Sequence, residues 1–430
     1  MQLDLNDETN RKELEKHIDM NNYLLYLAIE FLSGNSDAIW ANSEVWFYDT
    51  SKGEEESIYA DGRARFLLYD MDMIYYSENT TLYVTCYFDR FKECFLDTDS
   101  LFKNVMSSKY YRNKFITLIC DLINTSFKDE NVIKIIDEEF AKIQKEMEIE
   151  YRGKTAKQMI NEEFLKVYPM EPVEKYEEDF YEYVLNNVNN MKQVAINRDN
   201  EMLEEIETRY NLKEKYKLSI TCEEGIKAYW NNMEVYGEET YSNEYYKNVN
   251  FAINFEEYPG YTFDHWLVNG KEIYEEKLEI EDELIENGEI NILLCAKRND
   301  NVKLIISEIS AKDDSDWIKL TNIDENSIGI GDYYISDDIN SIKKYRLPNI
   351  TLKSNDSIII NGNKNYYAIG DYICNFNLSK GETLYLYNNI EEKIVDELKV
   401  PKMSKIETYG RYKNSNTMMY FNNTENQRKK

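Results

Sequence analysis

The apolar residues change their period near Tyr216, and that change constrains the fold more than any other feature of the chain. Before it, apolar positions recur at helical spacing. Phe115, Leu118, Ile119, Leu122 and Ile123 form one stripe, and Ile133, Ile136, Phe140, Ile143 and Met147 form another. Tyr23 to Leu32 is apolar nearly throughout, which predicts a helix buried on most sides, with Asp19 as its N-cap. After Tyr216 the pattern alternates. Lys217 to Thr221, Val249 to Phe255 and Glu289 to Ala296 read as strands. From Val302 to about Arg411, short apolar runs are divided by turn signals at Asp313-Asp314, Ser336-Asp337-Asp338, Ser354-Asn355-Asp356 and Asn361-Gly362-Asn363, a spacing that suits a β-sandwich.

One interruption stands out in the helical half. Val45 to Tyr48 and Arg65 to Tyr69 read as strands, joined by a charged, turn-like segment from Asp49 to Gly62. This predicts a hairpin with Asn42 where it begins and Asp70 where it ends. The expectation is therefore an α+β multidomain chain. A mainly helical part with one hairpin spans 1–213, a small β domain 214–300 and a β-sandwich 301–413, followed by a polar, frayed tail at 414–430.

Composition narrows the chemistry. Acidic residues outnumber basic ones 81 to 51, a net charge of -30, so the surface repels nucleic acid and anionic lipid. With 42% hydrophobic residues the chain is not broadly disordered. The six Cys (86, 94, 120, 222, 295, 374) contain no CxxC pair and read as buried small hydrophobes rather than zinc ligands. Only His17 and His265 could serve His-dependent chemistry, so catalysis by this chain would rest on carboxylates. Met1 to Glu8 is polar and acidic and does not read as a signal peptide, and no run approaches the length of a membrane helix. The chain is expected to be cytoplasmic or a piece of something longer.

Two acidic sites follow one another. Ser33-Gly34-Asn35-Ser36-Asp37, with Asn42 five residues on, precedes Phe66-Leu67-Leu68-Tyr69-Asp70-Met71-Asp72. Kinases order their phosphoryl-transfer groups this way: an Asp that accepts the substrate proton, an Asn on Mg²⁺, and a second Asp on Mg²⁺ under the nucleotide phosphates. Each residue also has a plainer reading. Asp37 could cap a turn, Asn42 could be a turn residue, and Asp70 and Asp72 could end a strand in solvent. Arg63 and Arg65 are expected to pair with nearby acids. Asp313, Asp314 and Asp316 are expected to form a solvated acidic turn rather than a Ca²⁺ site. Trp266, Phe263 and Trp317 are expected in the core, with His265 exposed or half-buried.

The ordered set of pieces resembles the C-terminal lobe of the CotH-type spore-coat kinase family over residues 5 to 212. The matching pieces are His17-Ile18-Asp19, Gly34-Asn35-Ser36-Asp37 with Asn42, Phe66 to Asp72, Tyr111-Arg112-Asn113-Lys114-Phe115, Leu122 to Phe127, Ile136-Asp137 and Glu146-Met147, then Arg152 and Arg198. Tyr258 to Trp266 with Val268-Asn269-Gly270 resembles an internalin-type repeat. Ile306 to Ile309, Asp316 to Leu320, Tyr333 to Asp338, Leu347-Pro348, Leu378 to Leu384 and Tyr409-Gly410-Arg411 resemble a lamin-tail domain, an immunoglobulin-like sandwich.

The kinase resemblance implies ATP- and Mg²⁺-dependent phosphorylation of Ser or Thr on coat or envelope proteins. It implies Asp37 as the catalytic residue, Asn42 and Asp70 as metal ligands on the nucleotide side, and Asp72 as a further carboxylate. It also implies a place at the bacterial surface or spore coat. The family's N-terminal lobe and its glycine-rich cover have no counterpart before the first helix here, and Met73 stands where the family often has an aromatic. Three explanations stay open: a truncated chain, a degenerate kinase kept for binding, or a lobe supplied by another chain. The alternative function is a non-catalytic surface or spore-coat interaction protein that works through its β modules.

Overall fold

A computed structural model of the chain describes residues 3–35, 43–50, 59–75, 101–159, 177–237, 239–258, 260–298, 303–311, 316–362, 372–404 and 407–422. The fold is α+β, with the helices gathered before residue 211 and the strands predominating after it. It divides into two compact units. The first holds 1–218 with 243–251 and 280–289; the second holds 219–242, 252–279 and 290–430.

In the first unit, α1 (Glu8–Glu15) begins where the Asp7 carboxylate accepts from the Thr9 and Asn10 amides. Helix α2 (Met20–Ser33) starts at Asp19, which accepts from the Asn22 amide, and stops at Gly34 in the left-handed region. Leu24, Leu27, Ala28, Phe31 and Leu32 are fully buried. Strands β1 (Ser43–Trp46) and β2 (Arg65–Leu68) pair antiparallel from Ser43↔Leu68 to Trp46↔Arg65, the expected hairpin, with its first strand beginning two residues before Val45 and ending at Trp46. Helices α3 (Leu101–Ser107) and α4 (Lys109–Asn124) then close on α2, with Phe31 set against Phe102 and edge-on to Phe115.

Helix α5 (Asp129–Tyr151) and the short α6 (Ala156–Met159) lead to the long α7 (Phe180–Tyr210). The Asp179 carboxylate caps α7 and also accepts from the Gly153 amide at 2.5 Å, tying the end of α5 to the start of α7. Val132 and Ile136 of α5 pack with Met191, Val194 and Ala195 of α7 and with Ile74 and Tyr75. Ile143, predicted to share that stripe, is instead 51% exposed. Helix α4 is anchored by residues far along the chain. The Tyr245 hydroxyl donates to the buried Asp121 at 2.6 Å, and Asn113 donates to the Asn250 carbonyl at 3.1 Å.

The strands from 215 to 298 are β3 (Lys215–Cys222), β4 (Ile226–Trp230), β5 (Met233–Tyr236), β6 (Tyr241–Tyr246), β7 (Phe251–Glu257), β8 (Tyr261–Val268), β9 (Lys271–Ile273), β10 (Leu278–Ile280) and β11 (Glu289–Arg298). Within the second unit, β4 pairs with β5 and β7, and β8 pairs with β9 and β11, all antiparallel. Trp230 and Trp266 are buried, and Phe255 stacks on Phe263 with ring centres 4.2 Å apart. His265 is half-buried beside Asp264.

Strands β12 (Leu304–Ser310), β13 (Trp317–Asn322), β14 (Ile328–Gly329), β15 (Tyr333–Ser336), β16 (Tyr345–Arg346), β17 (Thr351–Leu352), β18 (Ser357–Asn361), β19 (Tyr372–Ile373), β20 (Thr383–Asn388), β21 (Lys393–Lys399), β22 (Glu407–Arg411) and β23 (Met418–Asn422) complete the unit. They form sheets ordered β19-β18-β13-β12-β22-β23 and β16-β15-β20-β21, with β14 and β17 as a separate pair. Ile306, Leu320 and Ile360 of one sheet share a core with Ile335, Leu384 and Leu386 of the other. The buried Lys227 amine joins Glu234, Glu256 and the Thr417 hydroxyl, so strands from both ends of this unit meet at one cation.

Four expectations change here. Phe263, expected in the core, is half-buried. Trp317 is only half-buried, because the register of β13 turns Ile318 and Leu320 inward. Asp316 is not a solvated turn residue: it is 1% exposed and its carboxylate accepts from the Leu378 amide at 2.9 Å. The expected frayed tail begins as β23, which pairs with β22 from Glu407↔Asn422 to Arg411↔Met418. Asp313 and Asp314, like Cys86 and Cys94, lie outside the described residues. Cys120, Cys222, Cys295 and Cys374 are buried free thiols. Among the described residues no helix is long and apolar enough to cross a membrane.

Candidate functional site

The site begins at the C-terminus of α2, where four backbone carbonyls would lack partners within the helix. Glu30 O takes the Gly34 and Asn35 amides at 3.0 and 3.3 Å. Phe31 O takes the Arg198 side chain, with Nε at 3.0 Å and Nη2 also bonded. Ser33 O takes the Tyr75 amide at 3.0 Å. Gly34 adopts φ 67°, and Arg198 lies so close that a side chain there would meet the guanidinium at 3.0 Å.

The Tyr75 bond docks a second element on this helix end. Residues Met71–Met73 form one turn of 3-10 helix behind Asp70. The Asn35 side-chain amide lies 3.4 Å from Met71 Sδ, so the turn is held at Met71 and at Tyr75. Asp70 and Tyr75, at its two ends, have φ 51° and 52°. For an Asp that conformation is tolerable; for a Tyr it stores strain of about 1 kcal/mol or more.

Asp70 and Asp72 are therefore together on one short turn. Both are exposed, and neither carboxylate has a hydrogen bond or ion pair among the described residues. Asp37 and Asn42 lie outside the described residues. The residues on either side of their segment are placed: Asn35 touches Met71, and Ser43 pairs with Leu68, two residues before Asp70. Among the described residues no three His, Cys, Asp or Glu converge to hold a metal.

The base of the hairpin is fixed by charge. Arg65 is 4% exposed and pairs with Asp61 at 2.8 Å and Asp19 at 3.1 Å, while Arg63 pairs with Asp61 at 2.5 Å. The Arg65 guanidinium holds the Asp61 carboxyl well below the usual carboxylate range, helped by the Arg63 amide and side chain. This matches the expectation that these arginines serve acids rather than phosphate.

Sequence reasoning missed one buried carboxyl and one half-buried carboxyl with raised pKa values. Glu30 of α2 has no exposed surface, and neither of its oxygens has a hydrogen bond of regular geometry. Burial pushes it up to about 7, opposed only by the Asn35 side chain. Asp199 of α7 is pushed up to about 8, first by burial and then by the Asp129 carboxylate beside it, against the pull of Arg198. The visible signal for Glu30 was a lone Glu inside the apolar run Tyr23 to Leu32. Nothing local marked Asp199, whose partner Asp129 lies on another helix.

No curated protein matches the chain. Among solved structures it overlaps the crystal structure of a DUF4876 family protein from Bacteroides thetaiotaomicron at 9% identity and a TM-score of 0.16, over 40% of this chain and 66% of that one. So slight an overlap carries no weight for fold or function. Residues 2–164, which take in α1, α2, the hairpin, the Asp70 turn and α3 to α6, match the protein family described as CotH kinase protein, a kinase-like family by that description.

Proposed function

We propose that this chain is a CotH-type, kinase-like phosphotransferase that uses ATP with Mg²⁺ to phosphorylate Ser or Thr of coat or surface proteins. The reading is carried by the docking of the Asp70 turn on the end of α2, within the stretch that matches the kinase family. Two exposed carboxylates without partners among the described residues are suitable hard oxygen donors for Mg²⁺, which prefers one or two carboxylates beside phosphate oxygens. In this reading Asp70 and Asn42 hold the metal and Asp72 lies in reach as a further carboxylate. Asp37 orients the attacking hydroxyl and accepts its proton. The bound metal would neutralise charge on the transferred phosphoryl group.

The β half would serve localisation, with residues 214–300 as an internalin-type repeat and 301–413 as an immunoglobulin-like lamin-tail domain. Two sheets that share one core are compatible with that sandwich. Calorimetric titration of ATP with and without Mg²⁺ tests the proposal. Metal-dependent binding that disappears in Asp70→Ala supports it. Absence of binding at millimolar ATP overturns it, and favours a chain that acts by binding partners through its β strands.

A further inference from the structure

Tyr75 stands in a backbone conformation that its side chain does not favour. Its φ of 52° lies in the left-handed region, where glycine is at ease and a bulky L residue is strained. Such strain persists only where the surroundings over-determine the residue. Here they act on two sides. The Tyr75 amide donates to the Ser33 carbonyl at the end of α2, at 3.0 Å. The side chain is 8% exposed and clusters with Val132 at the start of α5 and with Val194 and Ala195 of α7. Ile74, Ile136 and Met191 pack against that cluster. Burial of an aromatic side chain outweighs strain at one residue, so the ring can hold the backbone where glycine would otherwise be preferred.

We propose that Tyr75 is a positioning residue: its ring, buried with side chains of α5 and α7, anchors the end of the Met71–Met73 turn against α2 and so sets where Asp70 and Asp72 stand. This rests on the proposed Mg²⁺–nucleotide site and adds to it a residue that touches neither metal nor nucleotide. Asp72 is three residues from the anchor. Three residues span at most about 10 Å, so a displacement of Tyr75 reaches Asp72 with little slack. At the start of the turn, the contact from Asn35 Nδ2 to Met71 Sδ at 3.4 Å is a weak one, because a thioether is a poor acceptor. The placement of the two carboxylates thus depends on the packing of α5 and α7, helices that carry none of the proposed ligands.

The test uses the full chain with Tyr75→Phe, Tyr75→Gly and Val194→Ala, each checked for folding by its thermal melt. Two readouts follow: hydrogen-exchange protection of the residue-75 amide, with the Leu27 and Phe31 amides of α2 as reference, and Mg²⁺-dependent ATP binding by calorimetry. Tyr75→Phe keeps the ring and should stay within about twofold of the wild type in both. Tyr75→Gly relieves the strain and keeps an amide able to reach Ser33, but lacks the ring. Its residue-75 protection should fall about tenfold or more while Leu27 and Phe31 stay protected. Its Mg²⁺–ATP binding should weaken about tenfold. A residue that served stability alone would lower the reference amides together with its own. Val194→Ala thins the cluster without altering the turn and should lower residue-75 protection several-fold, which decides the matter if Tyr75→Gly does not fold. Protection that survives the loss of the ring or the thinning of the cluster overturns the proposal, and so does lost protection with wild-type binding. If the wild type binds no Mg²⁺–ATP, the functional reading fails, and the exchange readout alone decides for or against the anchor.

Discussion

Asn22 makes a two-sided clamp on Phe66: the Phe66 amide donates to Asn22 Oδ1 at 2.6 Å, and Asn22 Nδ2 donates to the Phe66 carbonyl at 3.2 Å. A side-chain amide on α2 thus replaces a neighbouring strand for one residue of β2. The Phe66 ring lies against Tyr23 and Tyr26 of the same helix, 4.6 and 5.5 Å away between centres. Asn22→Ala leaves both backbone groups of Phe66 without these partners. It should cost about 1–3 kcal/mol, seen as a lower urea midpoint for the helical unit. Asn22→Asp, which keeps the acceptor and loses the donor, should fall between the two. An Ala variant as stable as the wild type would show that the hairpin is held by its rings alone.

The Arg65 cluster gives a prediction with a definite pH sign. Asp61 is held below the ordinary Asp value, so its contribution is present above about pH 4 and is lost as pH falls through its lower folded value. Arg65→Ala should therefore destabilise by about 2 kcal/mol near neutrality, with the gap to wild type narrowing toward pH 2. Chemical denaturation of both proteins at several pH values measures that gap. A gap that stays constant would assign the loss to the Arg65 guanidinium lying over the Tyr59 and Trp46 rings instead of to its ion pairs.

These two clusters show what the sequence could and could not disclose. The buried helix after Asp19, the hairpin and the switch to strands at Tyr216 are local patterns, and each is present, although the hairpin's first strand begins at Ser43 rather than Val45. Asp70 and Asp72 were visible as an acidic pair after an apolar run. Their docking was not, because it depends on a Tyr75 amide reaching back to Ser33. Arg198 came to notice only as part of a family pattern, since its target, the Phe31 carbonyl, lies 167 residues away. On α5, Ile143 is exposed while Phe140 and Met147 on either side of it are half-buried: periodicity gives the face of a helix but not which positions on it a neighbour covers. Trp317 was misjudged because its size suggested core, while the register of β13 gave the core to the residues beside it.

Asp199 should make the helical unit less stable as pH rises. Its folded value, raised to about 8 by burial and the facing Asp129, lies above the ordinary Asp value. The folded state therefore holds a proton that the unfolded chain has released, and stability falls from about pH 4 until Asp199 ionises near 8. Arg198 and the Tyr75 hydroxyl are the other charged or titratable groups at this place, and Arg198 moderates the effect. Glu30, raised to about 7, adds to the same slope, so pH 7 to 9 is the window in which Asp199 can be separated from it. Asp199→Asn keeps the shape without the charge. It should melt higher than wild type at pH 9 and about equally near pH 4. If the two melting curves stay parallel across that range, Asp199 is not held protonated.

Gly34 and Gly153 form an internal control for the end of α2. Both have φ in the left-handed region, 67° and 81°. A side chain at Gly153 would meet nothing within 4 Å, whereas one at Gly34 would meet three guanidinium atoms of Arg198 at 3.0 to 3.3 Å. Gly153→Ala should thus cost only the backbone penalty, about 1 kcal/mol. Gly34→Ala carries that same penalty and must also displace Arg198 from the Phe31 carbonyl, leaving a buried acceptor short of its partner. We expect it to cost about 1–3 kcal/mol more than Gly153→Ala. It should also weaken Mg²⁺-dependent ATP binding, because Asn35 and the Asp70 turn rest on the residues beside it. Thermal melts of the two variants, followed by the same calorimetric titration, read both effects. Equal destabilisation would mean that Arg198 can move aside freely, and that the end of α2 owes its position to the Tyr75 and Met71 contacts.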